Sequence, residues 1–125
     1  MADKKTILII DDEPDTRTYF SSLLEDNGYA TVTAENGTEA IALVEKSPPD
    51  LITLDVTMPG MTGIEVLTKL RRSEGQGDIP VIVITGVARF RNLTEYRGVR
   101  EPEAFLSKPI VLPDLLDTIR KLVGQ

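Results

Sequence analysis

The chain contains neither histidine nor cysteine. Imidazole and thiolate are therefore excluded as nucleophile, general base or metal ligand, and no disulfide or cysteine-histidine zinc site can brace the fold. Aromatic residues make up only 5%, and no Ser/Thr/Gly-rich phosphate loop follows Ile10, so flavin binding is a poor reading. The pattern G-x-x-x-x-G-K-[ST] is missing, which excludes a P-loop nucleotide site. Lys and Arg number 14 against 20 Asp and Glu, and the resulting net charge of -6 has the wrong sign for direct nucleic-acid binding. No run approaches the roughly 18 apolar residues needed to span a membrane. Lys4 and Lys5 precede an apolar stretch, Thr6 to Ile10, that Asp11 stops far short of a signal peptide's apolar region. The expectation is a cytoplasmic protein whose chemistry falls to carboxylates, hydroxyls and lysine.

A length of 125 residues suits one domain spanning 1–125. Along it, short β-branched runs alternate with helical patterns, the mark of βαβ units and a parallel sheet. Ile7 to Ile10, Tyr29 to Ala34, Leu51 to Leu54, Ile79 to Ile84 and Ala104 to Leu106 read as strands. A first helix begins at Pro14, carries Phe20, Leu23 and Leu24 on one side and ends at Asn27-Gly28. A second covers Thr38 to Lys46, with Ala40, Ile41 and Val44 at helical spacing, and closes before Pro48-Pro49. Thr62 and Glu65 form the S/T-x-x-E capping box of a third, whose inner residues are Ile64, Leu67 and Leu70. The last starts at Pro113 with Leu115, Leu116, Ile119, Leu122 and Val123 on one side. Between Gly86 and Glu103 the pattern is irregular, with a short helix over Arg89 to Arg97 ending at Gly98.

Four of the apolar runs stop at polar residues. Asp11-Asp12 follows Ile10, Asp55 follows Leu54, Thr85 follows Ile84, and Ser107, Lys108 and Pro109 follow Leu106. Open parallel sheets bind ligands outside the carboxyl ends of their strands, so this arrangement gathers three carboxylates, a hydroxyl and an ammonium in one crevice. Three carboxylates held close repel one another, and ionising all of them is costly without a cation among them. Lys108 offsets one charge, and a divalent ion fills the remaining deficit of two. Mg2+ matches such a set, since it takes one or two carboxylates together with waters and phosphate oxygens. Asp55 stands alone at the end of the middle strand, well placed to attack phosphorus and become an aspartyl phosphate. Mg2+, Lys108 and the Thr85 hydroxyl would each meet one equatorial oxygen.

ILIIDDEPD (Ile7 to Asp15), LITLDVTMPGMTGIE (Leu51 to Glu65), IPVIVITGV (Ile79 to Val87) and AFLSKPI (Ala104 to Ile110) resemble, in order and spacing, the receiver domains of two-component response regulators. The resemblance covers almost the whole chain. It implies a flavodoxin-like, doubly wound α/β fold: a five-stranded parallel sheet of order 2-1-3-4-5 flanked by five helices. The fourth-helix region is irregular here, since Gly98-Val99-Arg100-Glu101-Pro102-Glu103 stands where many members carry small residues. The resemblance further implies Asp55 as phosphoacceptor and Asp11 and Asp12 as the acidic pair that joins it in holding Mg2+, with a backbone carbonyl from Thr57. Thr85 is implied as the switch hydroxyl, Lys108 as the phosphate-pairing lysine, Phe105 as the switch aromatic and Pro109 as a cis-proline. A sensor histidine kinase or histidine phosphotransfer protein would be the donor. A downstream protein would read the face built by the last strand and the helices on either side of it. The domain would be a phosphoacceptor switch, aiding only the phosphorylation and dephosphorylation of its own aspartate.

Singly, each residue has an ordinary role as well: helix-start acids at Asp11-Asp12, a solvated stem at Lys108, core packing at Phe105. It is their shared position at strand ends that points to a site. Arg89, Arg91, Arg97 and Arg100 form a basic cluster, read either as a solvated face or as a dock for an acidic partner. A turnover phosphatase of the haloacid dehalogenase type also forms aspartyl phosphate, but it needs D-x-D after the first strand, where this chain has Asp11-Asp12-Glu13. A binding scaffold with a structural acidic pocket is the remaining alternative.

Overall fold

Strands buried on both faces read as continuous apolar runs rather than alternating ones, and the structure, a computed structural model, uses the runs at 7–10, 51–54 and 81–84 so. It describes residues 4–55, 63–72, 78–85 and 102–124. In chain order these form β1 (Thr6–Ile10), α1 (Pro14–Asp26), β2 (Ala30–Ala34), α2 (Gly37–Lys46), β3 (Leu51–Asp55), α3 (Gly63–Arg72), β4 (Val81–Thr85), β5 (Ala104–Ser107) and α4 (Leu112–Val123). The strands make one sheet of order β2-β1-β3-β4-β5, with every neighbouring pair parallel. Four helices rather than five appear among the described residues. The helix expected over 89–97 lies outside them, as do the basic cluster, Thr57 and Thr62 of the expected capping box.

Successive strand residues point to opposite faces, so the runs feed two cores. Leu8, Ile10, Ile52, Leu54, Val81 and Val83 pack with Ala40 and Val44 of α2 and Val66, Leu67 and Leu70 of α3. On the other face, Ile7, Ile9, Leu51, Ile82 and Ile84 pack with Phe20 and Leu24 of α1 and Leu115, Leu116 and Ile119 of α4. Full burial of each such Leu or Ile contributes about 1.5–3 kcal/mol. Helices on both faces of the sheet leave its carboxyl edge as the open end. Among the described residues, no helix is long and apolar enough to cross a membrane.

Local chemistry sets the boundaries. Pro14 opens α1, where its missing N–H costs nothing, and Gly28 closes it at φ 95°. Tyr29, expected to start the second strand, instead donates its N–H to Leu24 O at 3.0 Å in that closing turn. The second helix begins one residue earlier than expected because Asn36 accepts from Glu39 N–H at 2.8 Å while Glu39 Oε1 accepts from Glu35 N–H at 3.1 Å. The fourth strand starts two residues later than expected, since Pro80 has no N–H and serves the ladder only as acceptor for Ile52 N–H, at 2.9 Å.

At the amino end of the sheet, Glu103 continues the ladder with its side chain. Its N–H donates to Val81 O at 3.0 Å, and its Oε1 accepts from Val81 N–H and from Arg71 Nη2, both at 2.7 Å. Arg71 Nη1 donates to Ile79 O at 2.6 Å, so α3, β4 and β5 are tied together there.

Candidate functional site

Register brings the strand ends level. Ile10 pairs with Leu54, Asp55 with Ile84 and Thr85 with Ser107, so the residues just past β1 and at the end of β3 are lateral neighbours. Asp11 and Asp55 are both 3% exposed, while Asp12 is more open. One carboxylate oxygen from each of the three lies within 4.8 Å of the others. Lys108, just past β5, stands two strand spacings from β3, a distance of about 10 Å that only a long side chain covers. Its Nζ donates to Asp55 Oδ2 at 3.2 Å and stands 4.0 Å from Asp11 Oδ2. The Lys108–Pro109 peptide bond is cis.

Burial raises the Asp11 carboxyl above its ordinary value, and the charges of Asp55 and then Asp12 push the same way. A hydrogen bond from Glu13 N–H to Asp11 Oδ1 at 3.0 Å and the Lys108 ammonium oppose them without cancelling the rise. The site is thus an excess of buried negative charge. An octahedral Mg2+ sets neighbouring ligand oxygens about 3 Å apart and opposite ones about 4 Å apart. Three carboxylate oxygens within 4.8 Å of one another, in a chain with no histidine or cysteine, fit that ion and its hard-oxygen preference.

Of the sequence-predicted residues, the structure therefore brings together Asp11, Asp12, Asp55 and Lys108. Thr85 ends β4 opposite Ser107. Phe105 lies half-buried on β5, opposite Val83, against the core shared with α2 and α3. Thr57 falls outside the described residues.

Sequence reasoning missed Arg17. Its Nη1 donates to the backbone carbonyl of Asp11 at 2.8 Å, and its Nη2 stands 3.9 Å from Glu35 Oε2. The available signal was spacing: Arg17, Phe20 and Leu24 fall at i, i+3 and i+7, so a charged residue occupies the inward face of α1.

The response regulator receiver domain family model matches residues 7–120. The chain is 34% identical over 123 residues to the polar-differentiation response regulator DivK of Brucella anthropi, covering 97% of this chain and 98% of that protein. Among solved structures, it is similar to a CheY-like response regulator receiver domain protein from Methanospirillum hungatei, with TM-score 0.87 and 28% identity over 98% of this chain and 95% of the other. It is also similar to the response regulator TrrA of Thermotoga maritima, solved in complex with Mg2+-BeF, with TM-score 0.84 and 31% identity over 94% of this chain and 98% of the other.

Proposed function

The chain belongs to the response regulator receiver domain family, and from that premise we propose that it is a phosphorylation-dependent switch that accepts a phosphoryl group on Asp55 with Mg2+ bound. The carboxylates of Asp11, Asp12 and Asp55 would hold the ion, with Thr57 as the backbone ligand that the family resemblance implies. The observation that carries this reading is the crevice itself, where three carboxylates, two of them buried, cluster within 4.8 Å beside the Lys108 ammonium. The Mg2+-BeF complex of the Thermotoga maritima relative supports the same ligand class.

The chain has no histidine, so the donor is external: a sensor histidine kinase, a histidine phosphotransfer protein or a small phosphodonor. An Asp55 carboxylate oxygen forms the new bond to phosphorus as the bond from phosphorus to the donor nitrogen breaks, and that electron pair returns to the donor imidazole. Lys108, already 3.2 Å from Asp55 Oδ2, holds the carboxylate in place and then pairs with a phosphoryl oxygen. When bound, Mg2+ neutralises charge on the transferring group. Burial of Asp55 keeps bulk water from competing with the donor.

The added charge draws the Thr85 hydroxyl toward the phosphoryl group. Phe105 then repacks, changing the face around β5 that a downstream protein reads. A modification shifts such an equilibrium only by its differential interaction with the two states, and Thr85 supplies that difference. The test is intact mass after incubation with acetyl phosphate and Mg2+. One phosphoryl adduct is expected in the wild type, lost in Asp55→Asn and lost with EDTA. An adduct that persists in Asp55→Asn would overturn the assignment.

A further inference from the structure

Arginine seldom sits inside a fold unless paired, yet the Arg17 side chain is only 17% exposed on the inward face of α1. A guanidinium taken from water needs partners, and those of Arg17 belong to two loops. One is the Asp11 carbonyl in the β1–α1 loop, at 2.8 Å. The other is Glu35 in the β2–α2 loop, at 3.9 Å. Glu35 is 60% exposed, so that ion pair contributes little; the carbonyl is the partner that matters.

The Asp11 carbonyl belongs to the peptide plane joining Asp11 to Asp12, and that plane is rigid. A donor fixed on its oxygen sets the direction from which the Asp12 carboxylate is projected. The rest of Asp11 is gripped as well: its N–H donates to Ala34 O at 3.1 Å, and its Oδ1 accepts from Glu13 N–H at 3.0 Å. We propose that Arg17 is a positioning residue for the Mg2+ site, its planar guanidinium fixing the Asp11–Asp12 peptide so that both carboxylates meet the ion beside Asp55. This rests on the Mg2+ reading above.

Charge alone works in the opposite direction, because a guanidinium near the crevice repels Mg2+. The two effects therefore separate by sign. Wild type, Arg17→Ala and Arg17→Lys are titrated with Mg2+ alone while amide NMR shifts are followed, with melting curves recorded without metal. Arg17→Ala is expected to weaken Mg2+ binding by about tenfold, as loss of groups that orient metal ligands commonly does. Faster amide exchange is expected at Asp12 and Glu13. Arg17→Lys is expected to remain weak, since a strongly hydrated ammonium on a flexible stem does not hold the carbonyl in one direction as the rigid guanidinium plane does. Unchanged or tighter binding in a folded Arg17→Ala variant would overturn the proposal, and so would wild-type affinity in Arg17→Lys, which also decides the matter if Arg17→Ala does not fold. Absence of Mg2+ binding in the wild type would overturn the Mg2+ reading itself, and this inference with it. Wild-type binding matched by both variants would overturn this inference alone.

Discussion

The two ends of the sheet handle buried charge in opposite ways. At the amino end Arg71, its side chain 3% exposed, faces Glu103 at 2.7 Å, and further hydrogen bonds to Ile79 O and from Val81 N–H keep both groups within the protein. A cation and an anion face each other there. At the carboxyl end, the buried Asp11 and Asp55 and the more open Asp12 cluster together, with Lys108 the ammonium beside them among the described residues. A facing, hydrogen-bonded ion pair is compatible with a purely structural role, whereas clustered buried carboxylates repel one another and lower stability until a cation joins them. The difference separates a brace from a binding site within one sheet.

Breaking the brace should produce the largest change in stability. Glu103→Ala removes the carboxylate that the buried Arg71 guanidinium and Val81 N–H both bond, and is expected to cost about 2 kcal/mol in urea unfolding. The Arg71→Met, Glu103→Leu double variant is expected to recover part of it, because it removes the buried guanidinium while Ile79 O and Val81 N–H still lose their side-chain partners. Mg2+ affinity should stay at the wild-type value in the double variant, since the two ends share no residue. A loss of Mg2+ binding there would mean that the ends are coupled through β4 and β5 and that the comparison fails.

The carboxyl end should respond to metal instead. Mg2+ at ten times its dissociation constant is expected to stabilise the wild type by about 1.4 kcal/mol through preferential binding to the folded state. Asp11→Asn should lose that gain. In the absence of divalent ions the same variant should melt above the wild type, because it removes a buried charge that burial and Asp55 disfavour while its amide oxygen still accepts from Glu13 N–H. Melting curves of both proteins, with and without Mg2+, check all of these outcomes. A metal-free Asp11→Asn that melts below the wild type would show that the Lys108 attraction outweighs the repulsion.

These two ends were also unequally legible in the sequence. The carboxyl end could be read because each site residue follows the last apolar residue of a strand: Asp11 after Ile10 and Asp55 after Leu54, both of strands buried on both faces, and Lys108 shortly after Leu106 of the half-buried edge strand. Strand order, and with it the lateral neighbourhood of Asp11 and Asp55, came from the family resemblance, since βαβ alternation alone is compatible with more than one order. Arg17 was not read, because its main partner is a backbone carbonyl, which leaves no trace in residue type. The Arg71–Glu103 tie was not read either, since 32 positions separate its members and no local period relates them. The start of β4 was misplaced because Ile79 looks like strand while Pro80 removes the donor that the ladder needs. The start of α2 was misplaced because its cap is Asn36, one position before the glycine that opens the helix.

The smallest expected effect, and the one that tests the charge excess most directly, is a difference in pH dependence. The folded Asp11 carboxyl lies above its unfolded value of 3.8, so the folded state holds that proton more tightly. Its contribution to stability is fully present below 3.8 and is lost as pH rises through the folded value. The metal-free wild type should therefore fall in stability relative to Asp11→Asn as pH increases across that window, and the gap should stay constant above it. Mg2+ reverses the trend, since it requires the ionised carboxylate and competes with the proton: its affinity for the wild type should weaken as pH is lowered through the same window. Urea unfolding of the two proteins over a pH series, with and without Mg2+, reads both slopes. Parallel metal-free curves would mean that Lys108 and the Glu13 N–H already balance Asp11, leaving no excess charge for a cation to relieve.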